Sequence, residues 1–431
     1  MYLIFMRKYA KISSMSEIKR EIFLKKLLGA RHNGMVKVVT GLRRSGKSYL
    51  LFTLFVDALK KEGIDDRHII RVNLEDRHNK NLRNPDELMA YIDTRLGDEK
   101  MHYVLLDEVQ LVDEFEDVLN SYLHVPNADV YVTGSNARFL SKDVITEFRG
   151  RGYEIHIHPL SFKEFYSVSG NKNKGDCLFA YMTFGGLPKI ATETDDEVKR
   201  EYLRNLFRHT YLVDIKERYE IKKDDDLEEL VNVLASSIGG LTNPRKLADT
   251  FHSVKKSEIT QGTIKNYLDF LQDAFLVEKS VRYDIKGKKY IDTPAKYYFE
   301  DLGVRNALMN FRQVEQSHLM ENLIYNELRL RGYDVDVGQV TLNTKNAEGK
   351  SERKQLEVDF VCNRGYERVY VQSALNLDST EKQAQELRPL LSIKDSFKKV
   401  IITGGLQPTY MNDDGVLIQN LFDFLLEENA S

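Results

Sequence analysis

The stretch "GLRRSGKS", Gly41 to Ser48, carries the residue types needed to hold a row of phosphates. It matches G-x-x-x-x-G-K-[S/T] at every fixed position. Gly41 and Gly46 let backbone amides approach phosphate oxygens, Lys47 reaches the β- and γ-phosphates, and Ser48 offers a hydroxyl to Mg²⁺. Arg43, Arg44, Ser45 and Tyr49 complete the segment expected around a nucleotide. Sixty positions after Lys47, "HYVLLDEVQ" ends an apolar run with two acids. Asp107 is expected to hold the magnesium through water and Glu108 to polarise the attacking water. Phosphoryl transfer needs both, a charge neutralised and a nucleophile aimed. Such an acid pair after a strand can also serve as a helix cap. A third run, "ADVYVTGSNARFL", closes with Thr133, Ser135 and Asn136, any of which could meet the γ-phosphate or the water. Arg149 and Arg151 flank a glycine further on. Their fixed charge and fork shape suit transition-state stabilisation, often from a neighbouring subunit, and equally suit a solvated basic loop.

These groups need particular elements to hold them. "MVKVVTG" reads as a short strand before the loop, and "SYLLFTLFVDALKKEG" as a helix closed by Lys, Lys and Gly. "HIIRVNLE", Tyr103 to Leu106 and Asp129 to Val132 supply further strands, with a helix starting near Pro85. Ligands bind at the C-terminal ends of such strands in parallel α/β sheets. The length of 431 residues exceeds one ordinary domain. With 42% hydrophobic and 30% charged residues and a net charge of -3, the chain is neither disordered nor membrane-embedded in composition. Cys177 and Cys362 lie far apart with no metal-ligand spacing, as expected of core thiols in a reducing compartment, with the cytoplasm as default. No apolar run reaches the roughly 18 residues of a membrane helix. The opening "MYLIFMRKY" is too short for a signal segment, and an amphipathic helix is expected from Met15, so the residues before it read as an upstream extension.

The set "GLRRSGKS", "YVLLDEVQ", "VTGSNARFL", "RGRGYEIHIHPLSFKEF" and "GGLP" (Gly185 to Pro188) resembles a group of bacterial and archaeal ATPases with an N-terminal AAA-like domain, a winged helix and a C-terminal nuclease-like domain of unknown function. The resemblance covers nearly the whole chain. It implies an AAA+ or signal-transduction-type P-loop fold, ATP with Mg²⁺ as ligand, and assembly into homo-oligomers. It implies no biological role. The expected fold is thus α/β, with a P-loop core over residues 1–160, a helical lid over 161–225, a winged helix over 226–300 and a restriction-endonuclease-like α/β domain over 301–431.

Residues 222–226, "KKDDD", read as a polar linker. Three short helices then precede two strands around Lys286-Gly287-Lys288, the pattern of a winged helix. If it reads DNA, Thr260, Gln261, Thr263, Lys265 and Asn266 on the third helix, with Arg282, Lys286, Lys288 and Lys289 on the hairpin, suit phosphate and base-edge contacts. Packing or protein docking is the alternative, and Asp269, Asp273 and Asp292 dilute the basic face. Beyond residue 316 the order helix, three strands, helix, strand resembles a restriction-endonuclease core, with "NTKNAEGKSERKQ" as a charged loop between the first two strands. Glu321, Glu357 and Asp359 match acids of that core. Where it would carry acid-x-Lys, the chain reads Gln372-Ser373-Ala374. Losing a hard oxygen ligand and an ammonium predicts a nuclease shape without nuclease activity.

Overall fold

A computed structural model of the chain describes residues 18–134, 150–221, 224–312, 315–345, 351–405 and 407–427. The chain divides into two compact units, Met1–Pro159 with Asp273–Phe275, and Leu160–Gln272 with Leu276–Ser431.

The first unit is built on five strands: β1 (Val36–Thr40), β2 (Ile69–Asn73), β3 (His102–Asp107), β4 (Ala128–Thr133) and β5 (Gly152–His156). Their order is β2-β3-β4-β1-β5, and every pair is parallel. A parallel sheet is covered on both faces, which is why β1, β3 and β4 are buried along nearly their whole length and not at alternate residues. Val36, Val38, Val72, Val104, Leu106, Val130 and Val132 pack one core with the helices Pro85–Asp93 and Phe115–Tyr122. The buried charge in β1 is satisfied locally. The Lys37 ammonium pairs with Asp129, donates to Met35 O at 2.8 Å and lies over the Tyr131 ring. Burial still depresses its pKa. The first described helix is Glu21–Gly29, and the helix start expected at Met15 lies outside the described residues. Arg20 ends the non-helical entry with φ 48°, its guanidinium bonded to His158 O.

The second unit joins a helical part to an eight-stranded mixed sheet. The strands are β6 (Val277–Asp284), β7 (Lys289–Phe299), β8 (Asp334–Lys345), β9 (Ser351–Arg364), β10 (Glu367–Ala374), β11 (Lys398–Thr403), β12 (Tyr410–Met411) and β13 (Leu417–Asn420), in the order β12-β13-β11-β10-β9-β8-β6-β7. Helices Gln316–Leu330 and Thr380–Leu391 stand where the endonuclease-like order places them. Three sequence expectations change. The charged segment after Thr341 is mostly strand and not loop, since β8 and β9 pair from Thr341↔Gln355 to Lys345↔Ser351. Backbone hydrogen bonds carry that extension, so it needs no apolar side chains. Asp224, Asp225 and Asp226 open the helix Asp224–Ser236 and do not link two domains, acids being favoured at the positive end of a helix dipole. Finally, the β6–β7 hairpin is not a free-standing wing. β6 runs parallel to β8, with Arg282↔Val337 to Asp284↔Gln339 in register, making the hairpin the edge of the large sheet.

Candidate functional site

Strand β1 delivers the chain into the loop at Gly41, whose φ of 133° suits only glycine. A Cβ there would lie 2.1 Å from Ile157 O, so the loop is pressed against the chain leaving β5. Arg44 and Gly46 also adopt positive φ, 71° and 102°, curling the loop before the helix that starts at Lys47. That helix continues through a wide turn, Leu50–Phe55, into Val56–Lys61. Its first amides have no intrahelical acceptor and carry the positive end of the dipole. Lys47 is buried and donates to Gly41 O at 2.9 Å and Leu42 O at 3.1 Å. Ser45 Oγ is buried with no hydrogen-bond partner among the described residues. Arg43 leans outward to Glu75 at 3.4 Å, and Arg44, Ser48 and Tyr49 are exposed.

Because β4 lies between β1 and β3, its last residue stands between the loop and the acids. Val39↔Thr133 and Leu106↔Val132 are in register, and the C-terminal ends line up. Ser48 Oγ donates to Asp107 Oδ1 at 2.9 Å, and Thr133 Oγ1 donates to the same oxygen at 2.5 Å. Thr133 Oγ1 also accepts from Glu108 N at 2.9 Å. Burial pushes the Asp107 carboxyl upward, while the Thr133 and Ser48 hydroxyls pull it back. Glu108, at φ 54°, turns sharply out of β3, and its carboxylate accepts from Gln110 Nε2. Thr133 therefore ties the Asp107 carboxylate to the backbone of Glu108. Sequence named it beside Ser135 and Asn136 without choosing; those two, and Arg149, lie outside the described residues. Arg151 is described and sits before β5, its carbonyl bonded to Val36 N at the entry of β1. Five residues of strand, about 17 Å, separate it from the loop end, so it does not join this chain's own site.

Magnesium-bound triphosphate fits what these residues offer. A hydroxyl and a carboxylate, both hard oxygen donors, face each other at Ser48 and Asp107. The orphaned Ser45 hydroxyl, the ammonium of Lys47 and a glycine-curled helix start supply donors for anionic oxygens.

In the second unit, a side chain that sequence reasoning missed completes the acid cluster. Lys296, on β7, is buried and places its ammonium 2.9 Å from Glu321 Oε1 and 2.7 Å from Glu357 Oε1. Tyr298 OH donates to Glu321 at 2.7 Å. Asp359 accepts from Ser373 N at 2.8 Å, and its own N–H donates to Gln372 Oε1 at 3.3 Å. Burial, then the Glu321 charge, push the Asp359 carboxyl far up. The only available signal was that Lys296 and Tyr298 share one strand face two residues apart. On the hairpin, Lys286, Lys288 and Lys289 are exposed, as is Lys265, and Thr263 is half-buried. Arg282 bonds Pro294 O, Thr293 O and Gln339 instead.

Among the described residues no helix is long and apolar enough to cross a membrane. A family profile described as an AAA domain matches residues 33–166, and one described as a domain of unknown function (DUF8612) matches residues 176–315. An uncharacterised protein of Haemophilus influenzae is 33% identical over 419 residues, 96% of this chain and 100% of that one. An uncharacterised protein of Methanocaldococcus jannaschii is 28% identical over 371 residues, 84% of this chain and 79% of that one. The structure of the Aeropyrum pernix Orc1 protein in complex with DNA covers 68% of this chain and 92% of its own at 12% identity, with a TM-score of 0.30, too slight a likeness to argue from. The parallel five-stranded order, the glycine-curled loop, the AAA profile and the Haemophilus relative lead to one assignment: the chain belongs to the same bacterial and archaeal family as the Haemophilus protein, with a P-loop ATPase domain of the AAA type at its N-terminal side.

Proposed function

We propose that the chain is a Mg²⁺-dependent ATPase whose nucleotide cycle acts on the winged-helix-like and nuclease-like parts of the second unit. The observation that carries this is the junction at Asp107 Oδ1, where Ser48 from the loop and Thr133 from β4 meet on one carboxylate oxygen. Loop amides and Lys47 bind the triphosphate, for which Lys47 exchanges the carbonyls of Gly41 and Leu42 for phosphate oxygens. Mg²⁺, held by Ser48 and Asp107, would neutralise charge building on the phosphates. Thr133 keeps Asp107 aimed and fixes the backbone of Glu108. The Glu108 carboxylate then takes a proton from the attacking water once it leaves Gln110. Arg151 is assigned the finger role in a homo-oligomer, reaching the site of a neighbouring copy. Lys47→Ala is expected to abolish Mg·ATP binding by calorimetry. Glu108→Gln should retain binding and lower turnover ~10²–10⁴-fold; unchanged turnover would remove the base.

One observation favours a second reading, a nucleotide-gated switch with little turnover. Gln110 engages the Glu108 carboxylate and so holds the base away from water. Steady-state turnover with and without duplex DNA separates the two. Thr263, Lys265, Lys286, Lys288 and Lys289 are assigned as DNA contacts, the exposure of the four lysines being what supports the assignment. The nuclease-like part is assigned no cleavage. The Lys296 ammonium already neutralises the glutamates that a metal would otherwise bind, and Gln372 supplies no charge. Plasmid incubated with Mn²⁺ should stay intact.

A further inference from the structure

The sheet of the first unit has a second constellation at its other end, where the strands begin. His68 closes the turn Asp66–His68 immediately before β2, and His102 is the first residue of β3. The parallel register Ile69↔Tyr103 sets the two imidazoles side by side, ring centroids 4.9 Å apart. Asp98, in the turn leading to β3, places Oδ2 3.0 Å from His68 Nε2 and Oδ1 3.9 Å from His102 Nε2. One ligand atom from each residue lies within 4.8 Å of the others. The turn is fixed by Lys100 N donating to Asp98 Oδ1 at 2.9 Å and Asn127 Nδ2 donating to Asp98 O at 2.8 Å. Both histidines are buried, whereas the Asp98 side chain is 40% exposed, which leaves an approach from solvent past the carboxylate.

One hydrogen bond orients the His102 ring. Its Nδ1 is 2.7 Å from Lys100 O, and a carbonyl only accepts, so Nδ1 donates. That leaves Nε2 facing the Asp98 carboxylate, 3.9 Å from Oδ1. Among the described residues Nε2 makes no hydrogen bond. A ring whose far N–H is pinned to a backbone carbonyl, with its other nitrogen bare and aimed at a carboxylate, is how a metal-ligating histidine is held.

We propose that His68, Asp98 and His102 bind one transition-metal dication, with Zn²⁺ as the best match. Two imidazoles and one carboxylate are a donor set for zinc with water in the fourth position, whereas magnesium takes oxygens. Ligand atoms around tetrahedral zinc lie roughly 3.3 Å apart, from bond lengths of about 2.0–2.1 Å. The distances of 3.0 and 3.9 Å bracket that value, so small rotations of Asp98 and His102 close the site. The ion would clamp the starts of β2 and β3 and the turn between them. This assignment involves no nucleotide and stands apart from the phosphate loop.

The test uses the untagged full chain, stripped with chelator and dialysed against Zn²⁺ or Co²⁺. One equivalent of zinc per chain is expected, and cobalt should show the visible bands of a four-coordinate ion. Asp98→Asn, at an exposed carboxylate, should weaken zinc at least ~10-fold and shift the cobalt bands, with the far-ultraviolet circular dichroism unchanged. His68→Gln should remove both signals. Zinc no higher than in the dialysis buffer, or zinc and cobalt signals indifferent to both substitutions, would overturn the site.

Discussion

At the scale of single residues, Thr133 decides whether the acids are usable. Its hydroxyl donates to Asp107 Oδ1 and accepts from Glu108 N, two bonds that need a hydroxyl and that an isosteric valine cannot make. Thr133→Val keeps the shape and leaves a buried carboxylate and a buried amide short of a partner. Removing one partner of a buried bond costs about 1–3 kcal/mol. Urea unfolding should show that loss, and calorimetry should show Mg·ATP affinity falling about tenfold; wild-type values in both would remove Thr133 from the site. Gln110→Ala is the opposite probe. It removes the Gln110 contact from the Glu108 carboxylate, so steady-state turnover should rise, and an unchanged rate would mean that the contact restrains nothing. The phosphate loop and the paired acids were legible because their spacing is local. That Thr133 meets Asp107 was not, because the contact depends on β4 being inserted between β1 and β3.

At the scale of elements, the "GGLP" segment turns out to be a joint. Gly185 has φ 77°, and a Cβ there would lie 2.2 Å from Asp301 Oδ1. Gly186 N donates to Asp301 Oδ2 at 2.8 Å. Asp301 in turn caps the helix Leu302–Leu308 through Val304 N. That helix approaches the end of Lys174–Phe184 so closely that a Cβ on Gly303 would be 1.9 Å from Phe184 O. Gly303→Ala meets backbone and not a flexible side chain, so the helices must separate. The expected cost is at least ~3 kcal/mol, above the usual effect of a point change, read as a lowered urea midpoint with the fold of the first unit intact. Sequence showed the motif and not its use, since Asp301 lies more than a hundred positions away. The hairpin teaches the same lesson. Its strands and tip were legible from alternation and glycine, but the β6–β8 pairing joins segments some fifty residues apart, and Lys296 on β7 meets glutamates 25 and 61 positions further on.

At the scale of the molecule, burial sets how the acids respond to pH. Asp301 is fully buried, and that burial pushes its carboxyl from 3.8 to about 6 against the pull of the Val304, Gly186 and Gly303 amides. Asp336 is also pushed up to about 6, mainly by burial, with the Tyr290 hydroxyl opposing. Both lie in the second unit. A carboxyl whose folded pKa is raised holds its proton longer in the native state than in the unfolded chain. Its contribution is complete below about 3.8 and disappears as pH climbs through about 6. For Asp301 the difference corresponds to an order of 3 kcal/mol at 1.36 kcal/mol per unit. The paired surface acids Asp66, Asp76 and Asp98 are shifted the other way, so their contribution fades only as pH falls below the carboxylate range. The window between pH 5 and 7 therefore belongs to the buried acids. Urea unfolding across it should show the second unit losing stability as pH rises. Asp301→Asn cannot ionise, and although it loses an acceptor for one amide, that loss is the same at every pH. The gap between wild type and variant should narrow from pH 5 to pH 7 by about 1.4 kcal/mol, the share of the linkage lost across the folded pKa, and a gap constant from pH 5 to 7 would mean that Asp301 is ionised throughout.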